Sequence, residues 1–127
     1  MQAGDDEVDP YDARMDAIQA RVDAAFPNGL VDFSAFPEDE NGLPVDVLDE
    51  VAIHGPVIFI AEHDPFFGSG KDYVGGKLIS PTWMEVVSAA NDAVQCTGDE
   101  HHVYLEGITD TGKLIDGCKV VSLDFGS

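Results

Sequence analysis

The stretch that decides the fold is Lys77–Ile108, KLISPTWMEVVSAANDAVQCTGDEHHVYLEGI. Ser80 offers a side-chain oxygen to the open amides of a helix start, and Pro81 suits the first helical position, where no amide is needed. Glu85 falls early, where the helix dipole favours an acid. Trp83, Val87, Ala90 and Val94 recur at helical spacing, and Met84 and Val86 widen the stripe. The small pair Ala89-Ala90 allows close approach to a sheet. Thr97-Gly98 closes the helix, since glycine accepts the left-handed stop. A strand, His102–Ile108, then begins at the second of two adjacent histidines.

Working outward toward the C-terminus, Thr109-Asp110-Thr111-Gly112-Lys113 has the composition of a hairpin turn. Leu114 to Phe125 is the expected return strand, with Gly117 as a bulge or close-approach point. Toward the N-terminus, Glu62 to Gly76 is a long glycine-rich connection, longer than most within a compact domain. Val57-Ile58-Phe59-Ile60-Ala61 is the most strand-prone run and fits a central strand covered on both faces. Val45 to Ile53 alternates well enough to predict another strand. Leu30 to Pro44 predicts a loop carrying Val31, Phe33 and Phe36 over the edge of the core. Asp9-Pro10 starts a first helix with Tyr11, Met15, Ile18, Val22 and Phe26 on one face, ended by Pro27-Asn28-Gly29.

These elements predict a two-layer α+β fold of about four mainly antiparallel strands with two helices on one face, in the order α-β-β-α-β-β. Residues 1–9 form an acidic N-terminal tail and 10–127 a single domain, an ordinary size for one core.

Charge narrows the function. Six basic residues face 25 acidic ones, a formal charge of -19. Such a field repels nucleic-acid phosphates and anionic membranes, so neither is an expected direct partner. Adaptation for solubility explains the charge most simply. Attraction to a basic protein comes next, and mimicry of DNA in a protein's basic groove third. The start MQAGDDEVDP has neither the basic nor the apolar region of a secretory signal, and no apolar run is long enough for a membrane helix. The expected location is the cytoplasm. Cys96 and Cys118 lack metal-site or redox spacing and are expected to be small packed thiols.

Chemistry is sparse. His63 leaves the best strand for the long loop, and His102 with Glu106 shares a strand face with Tyr104, so His63, His102 and Glu106 are the candidate metal ligands or acid–base groups. No HExxH or other fixed ligand spacing supports them. Gly68-Ser69-Gly70-Lys71 superficially resembles a phosphate loop, but Pro65 stands where its first glycine belongs and Asp72 where its hydroxyl residue belongs. Ser69 lacks the second glycine of a nucleophile elbow. Cys96 and His101, five residues apart across a turn, make at most a speculative thiol–imidazole pair. No catalytic residue and no cofactor is assigned. Phe33, Phe36, Phe66, Phe67 and Tyr73, set among acids, are the candidate partner-binding side chains. The expected function is a non-catalytic protein-binding or regulatory module. A metal-dependent or hydrolytic enzyme and a DNA mimic are the alternatives.

Overall fold

The computed structural model describes residues 9–64, 66 and 70–126, so most of the expected N-terminal tail falls outside the described residues. In chain order the elements are α1 (Pro10–Ala25), β1 (Asp32–Phe33), β2 (Pro56–Ala61), β3 (Tyr73–Ile79), α2 (Trp83–Thr97), β4 (Tyr104–Ile115) and β5 (Cys118–Gly126). The fold is α+β as expected, but the sheet has five strands in the order β1-β4-β5-β2-β3. It is also mixed. β1 pairs parallel with β4, and β2 pairs parallel with β5, while β4–β5 and β2–β3 are antiparallel.

The main correction concerns Val45–Ile53, which is not a strand. Its backbone serves α2 instead. The first amides of that helix have no partner within it, and Trp83 N and Met84 N donate to Glu50 O and Leu48 O at 3.0 and 2.9 Å. Leu48 and Val47 are buried in the core, and Arg21 of α1 reaches Asp46 and Asp49 at 2.6 and 3.0 Å. A segment that caps a helix with its carbonyls has none left there for a ladder. The cap residue itself is Thr82, not Ser80. Thr82 Oγ1 accepts from Glu85 N while Glu85 Oε1 accepts from Thr82 N, a reciprocal capping box. Ser80 has φ 44° and instead exchanges two hydrogen bonds with Gly55.

The second correction is β3, which occupies the end of the expected loop. Its Gly75-Gly76 pair faces the single residue Phe59 across a bulge. A Cβ at Gly75 would meet the Tyr73 hydroxyl at 2.7 Å and Phe59 O at 3.3 Å, so a side chain there would displace the tyrosine ring and crowd the β2 backbone. The third is the C-terminal hairpin. Its turn is Asp116-Gly117, both at positive φ between paired Ile115 and Cys118, a two-residue type I′ connection. The expected turn at 109–113 is a bulge within β4. Three residues, Thr111, Gly112 and Lys113, stand against the single Val120 of β5, and Thr111 Oγ1 donates to Val120 O at 2.8 Å in place of a ladder bond.

One core joins the layers. Ile18 and Val22 of α1, Val86, Val87 and Ala90 of α2, and Val57, Phe59, Leu105, Val121 and Leu123 of the sheet bury together. Both helices therefore cover the same sheet face. At the β1 edge, Gln19 Oε1 accepts from Phe33 N at 2.9 Å, so a helix side chain occupies part of that edge.

Candidate functional site

Parallel pairing of β2 with β5 ends at Ile60↔Ser122, yet β5 runs on to Gly126. A cavity of about 520 Å3 opens at this mismatch, lined on one side by Ile60, Val120, Ser122, Thr111 and Lys113, and on the other by Val94, Thr97, Asp99 and His102. Asp99 follows the left-handed Gly98 stop of α2. Its Oδ1 accepts the His101 and His102 amides at 3.0 Å each, and its Oδ2 lies 2.7 Å from His102 Nδ1. Burial pushes the Asp99 carboxyl up, but the His102 ring and the two amides outweigh it and hold the group below the usual carboxylate range. Asp99 was absent from the sequence candidates. Its signal was the spacing of an acid three residues before His102, directly after the helix stop.

Among the described residues, Ser122 is the sheet serine that lines the same cavity as this aspartate–histidine pair. Tyr104 pairs with Gly126, and Ser122 pairs with Thr109. Ser122 thus lies four residues, about 13 Å, down the strand from the level of Tyr104, with His102 beyond it. A nucleophile and its base need hydrogen-bond contact. Cys96 Sγ points at the Lys71 and Asp72 carbonyls, 3.5 Å from each.

The other sequence candidates are dispersed. His63 Nδ1 lies 2.9 Å from Asp72 Oδ1, and this ring together with the His63 amide lowers the Asp72 carboxyl. Glu106 is exposed on β4 and packs beside Gly126. Among the described residues, no three His, Cys, Asp or Glu side chains are placed to share a metal ion. Cys96 and Cys118 are both free thiols.

Of the aromatic candidates, Phe33 is buried, with its ring 5.9 Å from Trp83 and 6.3 Å from Phe36, which in turn meets Tyr11. These rings form the edge of the core. Tyr73 is half-buried over α2, where burial, Asp92 and Cys96 raise its hydroxyl pKa. Phe66 is 90% exposed, and Phe67 lies outside the described residues.

The sheet face opposite the helices was not anticipated. Val57, Phe59 and Ala61 point to the core, so Ile58 and Ile60 point away. Cross-strand partners share a face, which places Ile79, Lys77 and Val74 of β3 and Val120 and Ser122 of β5 beside them. Ile115 joins through Cys118. Val74 and Ile79 are 65% and 63% exposed. No helix among the described residues is long and apolar enough to cross a membrane. Compared with known proteins, the chain matches no family model, no curated protein and no solved structure.

Proposed function

We propose that the protein is a non-catalytic binding module that engages another protein through the outer face of its sheet, in the cytoplasm. The observation that carries this reading is the apolar patch on the sheet face away from the helices: Val74, Ile79 and Ile115 are exposed there, beside half-buried Ile58 and Ile60 and buried Val120. Contiguous exposed apolar surface rimmed by polar residues marks interaction sites. The separation of Ser122 from His102 along the sheet weighs against Ser122 as a nucleophile activated by His102.

The test compares capture by the tagged wild type with capture by Val74→Asp/Ile79→Asp, a pair exposed enough to leave the core intact. A protein held by the wild type and lost with the variant, while both melt alike, supports the reading. Identical captures from two equally folded proteins overturn it.

A further inference from the structure

Resting on that reading, we propose that the occupant of the outer sheet face is a second copy of this chain, packed face to face about a two-fold axis that runs across the strands. The face carries its charges in rows. Lys77 stands level with Ile58 and Val120, and Lys113 lies in the β4 bulge against the same level, lining the cavity beside Val120. Asp124 lies on the same face four residues further along β5, bonded to Thr109 at 2.7 Å. Glu62, just past the end of β2, lines the same cavity as Ile60 and Ser122. Between the rows, at the level of Ser122, lie Ile60 and Val74.

A two-fold axis through that middle level reverses the strand direction of one copy. It lays the lysine row of each sheet over the acid row of the other, with Ile60 and Val74 meeting their own counterparts. An axis running along the strands would instead set lysine on lysine and acid on acid. Like-charge juxtaposition of this kind suppresses an arrangement. The interface is isologous, as a closed dimer requires, and two sheets packed this way stand about 10 Å apart, within reach of opposed lysine and carboxylate side chains.

The distribution of basic residues supports the same pairing. Arg14 and Arg21 are already in ion pairs on the helical side, and Lys119 donates to His54 O. Lys71, Lys77 and Lys113 enter no ion pair among the described residues, and two of these three stand on the outer sheet face. In a chain of charge -19, two lysines without ion pairs beside this apolar patch fit an acidic surface, and this chain presents one. Two such chains repel at long range, so association needs enough salt to screen beyond about 10 Å, which 0.1 M supplies.

Sedimentation equilibrium at moderate salt tests the proposal with wild type, Ile79→Asp, Lys77→Glu and Lys77→Glu/Glu62→Lys. The wild type is expected at twice the chain mass. Ile79→Asp and Lys77→Glu each weaken the dimer about tenfold or more, and the double reversal recovers most of what Lys77→Glu loses. A wild type that stays monomeric to about 0.5 mM overturns the proposal. So does a dimer indifferent to these changes, or a double reversal that recovers nothing. A monomer whose outer face still captures a different protein removes only the second copy as occupant. A monomer whose capture is also unchanged by Val74→Asp/Ile79→Asp removes the binding reading with it.

Discussion

Asp99 stitches the exit of α2 to the entry of β4 through two amides and an imidazole, from a side chain only 10% exposed. Replacing it with asparagine keeps an acceptor for the amides and loses the charge, an expected cost of about 1 kcal/mol; alanine strands both amides and costs about 3 kcal/mol. Urea melts of the two variants check the order. The pH dependence follows from the lowered carboxyl. Because the folded value lies below the unfolded one, the advantage of wild type over Asp99→Asn is complete above the unfolded carboxylate range and fades as pH falls through the folded value. Gly70 is a second sensitive point. Its amide and that of Lys71 donate to Thr97 O and Cys96 O, closing the C-terminal end of α2, and any Cβ there would run into the Cys96 carbonyl. Gly70→Ala should therefore lower the melting temperature by several degrees, whereas Gly76→Ala, with open space around it, should change it little. Asn91 completes the set: its Oδ1 holds the Leu30 and Val31 amides at 3.1 Å, while its buried Nδ2 has no partner among the described residues.

At the scale of elements, the helices were the legible part. Asp9-Pro10 caps α1, with Asp9 Oδ1 accepting from Tyr11 N at 2.8 Å, and Gly98 stops α2 at φ 71°. Helix ends are written in neighbouring residues, so one sequence suffices to read them. Thr82-x-x-Glu85 was as readable, but Ser80-Pro81 offered a competing start two residues earlier. Thr82→Ala should cost about 1 kcal/mol in equilibrium unfolding, and Ser80→Ala should not reproduce a cap loss. The strands were less legible because their partners are remote. Val45–Ile53 alternates like a strand, yet its carbonyls are spent on α2. In the last hairpin, Asp116-Gly117 has the stronger two-residue turn signal, but the polar run 109–113 invited the turn instead; only the register of β4 on β5 distinguishes a turn from a bulge. The candidate site suffered likewise. His102 was visible, while the outer face needed the pairing Val74↔Ile60↔Ser122 before its apolar residues could be seen to join.

At the scale of the whole molecule, charge and topology dominate. With 25 acids against six bases, mutual repulsion opposes the compact state, and salt relieves it. Thermal melts from low salt to 0.5 M sodium chloride should rise by several degrees; a flat response would mean the acids are too dispersed to strain the fold. The parallel pairings have a different consequence, for the order of assembly. β5 sits between β4 and β2, with β1 and β3 beyond them, so the middle of the sheet comes from residues 118–126 while its neighbour β2 comes from residues 56–61. Loops this long must close before the central ladder rewards them, which slows folding relative to a domain built from local contacts. During synthesis α1, β2 and β3 emerge early, but Val57 and Phe59 wait for Val121 to complete their surroundings. Until β5 has been translated, the nascent chain holds helices and one hairpin, and its cooperative unit is completed last.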